Sequence, residues 1–231
     1  MTTRPLSLYV KPMHMKQKLT YVLLVTLTLA LSGCQSTYYK TMESFGYHKR
    51  DILVSNVEKA RESQEEASEQ FKSALGKFSA LTGFHGGDLQ EIYERLNDEF
   101  ERSEAAAKDV TNRIDAVEQV GNDLFGEWKD ELSKYSNAKL RNESRIKLSK
   151  TKSKFTRLLS AMRRAEKKIK PVLDAFRDQV LYLKHNLNAQ AIASLQSEIN
   201  SLEADIGRLI KDMQKSIDEA DAFIKELKKN S

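Results

Sequence analysis

The only cysteine of this chain, Cys34, closes the tetrapeptide Leu31-Ser32-Gly33-Cys34, and its thiol is the most definite chemistry in the sequence. In this setting the thiol takes a diacylglycerol group, the chain is cut between Gly33 and Cys34, and the new amino terminus is acylated, with palmitate a typical chain. Small Ser32 and Gly33 leave the bond open to a peptidase, and Leu31 fills an apolar subsite. Upstream, Leu19 to Leu31 is an apolar run broken only by threonines and one tyrosine, with Lys16 and Lys18 before it. A positive region, a short apolar region and small residues at the cut form a secretory signal peptide. The run is shorter than the ~20 apolar residues a membrane-spanning helix needs. Three parts are therefore expected: a signal peptide over 1–33, a lipidated tether over 34–50 and a helical domain over 51–231. Met13 or Met15 would begin a more ordinary signal peptide than Met1.

Other reactive side chains are scattered. His48, His85 and His185 lie far apart without paired spacing, so no metal ligands are assigned. Gly76-Lys77 lacks the earlier glycine of a phosphate-binding loop and is followed by Phe78, which cannot ligate magnesium. No Gly-x-Ser-x-Gly elbow occurs. Acidic pairs such as Glu65-Glu66 and Asp98-Glu99 read as solvated charge on exposed helix faces. No catalytic or cofactor-binding residue is assigned, and a non-enzymatic protein is expected.

The basic stretch from Lys139 to Lys170 is the second feature with functional potential. It holds 13 basic and 2 acidic residues, a net charge of +11, whereas residues 34–138 carry −8 and residues 171–231 carry −2. Such a segment suits lipid phosphates, an anionic envelope polymer or an acidic protein, with Arg163, Arg164, Lys167 and Lys168 as the expected contacts. The competing reading is that it packs beside the acidic first and second helices and is neutralised there. Nucleic acid is disfavoured, since an exported chain does not meet the chromosome and Phe155 is the segment's only aromatic.

These residues must be positioned by helices. Pro171 is the single proline after residue 33, and strand-like alternation is absent. A seam of apolar and small residues runs Leu53, Val57, Ala60, Ala67, Phe71, Ala74, Phe78 and Leu81, with Gln64 in the one polar step. Its three-four spacing predicts a helix starting near Asp51 and packed along its length. The glycines of Thr82-Gly83-Phe84-His85-Gly86-Gly87 predict a reversal, and Asp88 a cap for the next helix. A second seam runs from Leu89 through Leu96, Phe100, Ser103, Ala107, Val110, Ile114, Val117, Gly121 and Trp128 to Tyr135, with a bend or break expected at Gly121 or Gly126. Trp128 and Tyr135 are candidates for a partner groove. Ser136-Asn137 predicts the next turn.

The third seam runs from Leu148 through Phe155, Leu158, Met162, Ala165, Ile169, Val172, Phe176, Val180 and Leu183 to Leu187. Pro171 predicts a kink or a fresh helix start within it. Asn188 is the expected cap of a last helix with seam residues Ile192, Leu195, Ile199, Leu202, Ile206, Leu209, Met213, Ala220, Ile224 and Leu227. The fold class that follows is all-α: an elongated antiparallel bundle or coiled coil of three to four long helices. A monomer is favoured over a dimeric coiled coil, because the glycine turn folds the chain back at once.

After cleavage 198 residues remain, enough for one domain. They carry 34 basic and 33 acidic side chains, so the pI near 9.1 of the whole chain does not mark a general polyanion binder. With its cysteine lipidated, the domain has no intramolecular disulfide and relies on packing.

The lipobox, the Tyr38-Tyr39 start and the run Phe176 to Glu198 (FRDQVLYLKHNLNAQAIASLQSE) together resemble bacterial lipoproteins of the domain of unknown function 2959 family, over nearly all the mature chain. That resemblance implies a mostly helical envelope protein of a Gram-negative bacterium and supplies no catalytic residues. Family members can carry labels of a DNA-repair ATPase, whose nucleotide loop this sequence lacks. Gln35 after the cysteine, where an aspartate would retain a lipoprotein in the inner membrane, implies delivery to the outer membrane, facing the periplasm. The expected role is a helical spacer or scaffold for an envelope protein partner, with binding or sensing of anionic lipids or polymers as the alternative.

Overall fold

The computed structural model describes residues 49–80, 89–186, 190 and 194–229. The signal peptide, Cys34, most of the tether, the glycine turn after Ala80 with His85 and Asp88, and the Asn188 cap lie outside the described residues. Four long helices make up the domain that begins at Lys49: α1 (Lys49–Ala80), α2 (Leu89–Glu131), α3 (Ala138–His185) and α4 (Gln196–Lys229). No strand occurs among the described residues. The domain is an all-α bundle.

Side chains that bridge the helices fix its topology. Lys49 pairs with Glu127 and Lys77 with Glu99, so α1 and α2 are antiparallel. Trp128 with Ser144 and Arg177 with Glu104 make α2 and α3 antiparallel. Lys154 with Glu226 and Lys168 with Asp212 do the same for α3 and α4. Glu58 with Lys228 and Arg61 with Asp221 close the ring between α4 and α1. Each helix therefore packs against two antiparallel neighbours around a shared core.

The periodic seams are the core. From Leu53 to Phe78 every α1 seam residue is buried, as are Leu96 to Gly121 of α2, Phe155 to Leu183 of α3 and Leu195 to Leu227 at and within α4. Phe176 reaches across the bundle to α1, stacking on Phe71 at 6.4 Å and tilting against Phe78 at 4.9 Å. Toward the other end Phe155 meets Phe125 at 5.2 Å and Phe223 at 6.0 Å. Between these aromatic clusters Gln64 is fully buried, with neither amide atom hydrogen-bonded.

Of the bend or break expected in α2 and the kink or restart expected in α3, neither the break nor the restart occurs. α2 runs unbroken through Gly121 and Gly126. Gly121 is there for space: a Cβ on it would lie 2.1 Å from Cζ of Phe155, so its bare backbone is the seat of that ring. Similarly, α3 continues through Pro171 instead of restarting. Pro171 and Lys167 both face solvent, so water reaches the carbonyl that the missing N–H leaves, while Ile169, Val172 and Phe176 hold both sides of the proline in the core.

Candidate functional site

Beyond Glu127, which is level with the first residue of α1, α2 continues without a partner in α1 or α4. It ends at Glu131 in a 3-10 turn over Leu132–Lys134. The turn expected at Ser136-Asn137 follows, and Asn137 caps α3 by accepting from the backbone N–H groups of Lys139 (2.9 Å) and Leu140 (3.2 Å). α3 draws level with the last turn of α4 only at Lys154, paired with Glu226. The α2–α3 hairpin thus overhangs the rest of the bundle, and no residue from Gly126 to Lys154 is buried. Its inner face is held by Trp128, whose Nε1 donates to Ser144 Oγ at 2.8 Å, and by half-buried Leu132 and Leu148.

The overhang is strongly basic. Residues 132–153 contain Lys134, Lys139, Arg141, Arg145, Lys147, Lys150 and Lys152 against the single acid Glu143, and the α2 part of the overhang adds Lys129 against Asp130 and Glu131. None of the seven has an ion-pair partner among the described residues, and Arg145 only donates to Asn142 at 2.8 Å. At 3.6 residues per turn the α3 cations form two stripes, Lys139–Lys147–Lys150 and Arg141–Arg145–Lys152. The second stripe borders the face that Ser144 and Leu148 turn toward α2, and the first lies mostly on the opposite, solvent side. Tyr135, Leu140 and Ile146 stand exposed among them at 38%, 50% and 44%. Trp128, Tyr135 and Leu140 line a concavity of about 490 Å³ where the overhang meets the bundle end, with Arg50 and Leu227 on its floor.

The later part of the same basic stretch is different. Arg163 donates to Asp115 (2.6 Å) and Glu118 on α2 and to Glu166 (2.9 Å) on its own helix. Burial alone would lower its pKa, but the three carboxylates more than reverse this and hold the proton more firmly than usual. Lys168 pairs with Asp212 at 2.5 Å, and that hydrogen bond, despite partial desolvation, sets the Asp212 carboxyl below its ordinary value. Of the four contacts expected from sequence, Arg163 and Lys168 are therefore engaged within the bundle. Arg164 and Lys167 are exposed, without ion pairs among the described residues. Sequence reasoning passed over Lys134, outside the segment it singled out. The available signal was the weak apolar side at the start of α3.

Glu99 corrects a further expectation: it is buried at the α1–α2 interface rather than solvated. Lys77, Arg102 (2.8 Å) and Gln70 (3.0 Å) all donate to its carboxylate. Burial pushes this carboxyl up, and these hydrogen bonds and positive charges outweigh it, so it titrates below the ordinary glutamate value of 4.5. Such a carboxylate is a structural tie between two helices. His185 is the exposed last residue of α3. Among the described residues no group of three histidine, cysteine or acidic side chains is placed to hold a metal ion, and no helix is long and apolar enough to cross a membrane.

The family model described as "Protein of unknown function (DUF2959)" matches residues 38–227, and the chain belongs to that family. No curated protein matches it significantly.

Proposed function

We propose that this DUF2959 protein is a non-enzymatic lipoprotein of the outer membrane, held by acylated Cys34 and facing the periplasm, whose bundle serves as a spacer and protein-interaction scaffold. The lipobox supports the anchor, and more than one acyl chain makes such anchoring stable. The observation that carries the scaffold role is the ring of helix-to-helix pairs around a continuous core, from Lys49–Glu127 at one end to Lys77–Glu99 toward the other. Helices of 32 to 48 residues tied in this way are stiff over roughly 50 to 70 Å at 1.5 Å per residue. Such a body presents long charged faces to an envelope partner.

Cys34 precedes Lys49 by fifteen residues, a reach of at most about 50 Å for extended chain. Lys49 lies at the end of the bundle from which the α2–α3 overhang projects. The anchor thus keeps the basic end of the domain within reach of the membrane surface, which favours the second reading, contact with anionic material, for residues 132–153 rather than for the whole of 139–170.

Fractionation of cells expressing Cys34→Ser tests the anchor. The variant is expected to be lost from the outer-membrane fraction, with its signal uncleaved at Gly33, while the natural chain fractionates with outer membranes. Retention of the variant in that membrane with unchanged processing would overturn the reading. Crosslinking in intact cells, read by mass spectrometry, should recover protein neighbours joined to the long helix faces.

A further inference from the structure

We propose that the α2–α3 overhang is a docking surface for the anionic phosphate headgroups of a lipid bilayer, so that the domain meets the membrane through this tip as well as through its acyl chains. Three observations carry it. Among the described residues the seven cations of residues 132–153 have no carboxylate partner, although acidic side chains are plentiful on the same molecule and neutralise Lys154, Arg163, Lys168 and Arg177. Exposed Tyr135, Leu140 and Ile146 lie among those cations, giving apolar and aromatic groups that enter the interface beside charges that meet phosphate. The chain enters the bundle at this same end.

Headgroups gathered around a projecting tip meet lysines and arginines spread over two sides of its helix. A single small anion does not, because the stripes do not converge on one point. The choice of a bilayer over another polyanion rests on the lipid-anchored reading, but the contact itself is testable without the anchor.

The chain from residue 34 onward, carrying Cys34→Ser and so unlipidated, is mixed with vesicles of phosphatidylcholine alone or with about one-third phosphatidylglycerol. Trp128, the one tryptophan of the chain, sits at the base of the overhang and reports the contact by its emission. Binding is expected only with the anionic vesicles, accompanied by a shift of Trp128 emission and weakened by salt.

The combined variant Lys139→Glu, Arg141→Glu, Lys147→Glu and Lys150→Glu should lose at least about tenfold in binding, since each cation near the surface adds to the attraction. The milder glutamine set at the same positions should fall between. Reversal at Arg164 and Lys167, on the bundle body, should change binding less than about twofold. Helical content and melting of all variants should match the parent, as none of these side chains is ion-paired among the described residues.

Equal binding by the tip variant, or no preference for anionic vesicles, overturns the proposal. So does displacement by glycerol phosphate at matched phosphate concentration, which would assign the surface to a soluble anion. Sedimentation showing a dimer that the tip variant abolishes, without vesicle binding, would assign the surface to a second copy. Because no arm of this experiment uses the acyl anchor, its failure leaves the Cys34 reading standing, and failure of the Cys34 test leaves this one standing.

Discussion

Arg163 and Arg145 lie eighteen residues apart on one helix, in one basic stretch of sequence. Arg163 is surrounded by Asp115, Glu118 and Glu166, whereas the side chain of Arg145 reaches only Asn142. What separates them is the level of the neighbouring helices. Around Arg163 the bundle is complete, and carboxylates from α2 close on the cation. Around Arg145, α1 and α4 have not begun or have already ended. The bundle body neutralises Arg163 and Lys168 from within, whereas none of the seven cations of residues 132–153 meets a carboxylate among the described residues.

The strongest challenge to that comparison comes from deleting apolar volume in each region. Phe176→Ala, removing the ring that spans α3 and α1, should cost about 3–5 kcal/mol in urea unfolding. Ile146→Ala in the overhang should change stability by no more than about 0.5 kcal/mol. Similar losses at both positions would show that the overhang is part of the core.

Two glycines of α2 sharpen the boundary. Gly121→Ala places a methyl group into the ring of Phe155 and should destabilise by about 1–3 kcal/mol, despite alanine's better helix propensity. Gly126→Ala, five residues on with open space around it, should stabilise by roughly 0.5–1 kcal/mol. Thermal melts of the pair should therefore move in opposite directions.

Within the body, Gln64→Leu should raise stability by about 1 kcal/mol, since both amide atoms are buried without partners. A loss would indicate that the polar step enforces helix register, the best-attested use of such residues.

The subtlest effect is confined to acid. The Glu99 carboxyl titrates lower in the folded chain than its ordinary 4.5, so its contribution is fully present above that value and is lost as pH falls below it. Stability followed by denaturant unfolding should decline below about pH 4.5, and Glu99→Gln should make that decline shallower. An identical acid limb in the variant would remove Glu99 from this role.

The three-four seams were legible because burial along a packed helix repeats with the helix itself: Leu53 through Phe78 and Leu195 through Leu227 are written in local spacing. The break expected at Gly121 and the solvated reading of Glu99 failed because both positions are set from across the bundle. Phe155 comes from α3 and Gln70 and Lys77 from α1, at separations no local pattern records. The overhang was half legible. Its charge and weak apolar side stand in the sequence, but that α1 and α4 stop short of it depends on how four helices align along their lengths.

Amide hydrogen exchange of the unlipidated chain, with and without anionic vesicles, tests the contrast between body and overhang most directly. Without vesicles, the core amides of α1 to α4 should exchange slowly and those of residues 132–150 quickly. With vesicles, new protection should appear across residues 132–150 and leave the bundle body unchanged. Protection spread over the body, or an overhang as slow as the core from the start, would contradict the account.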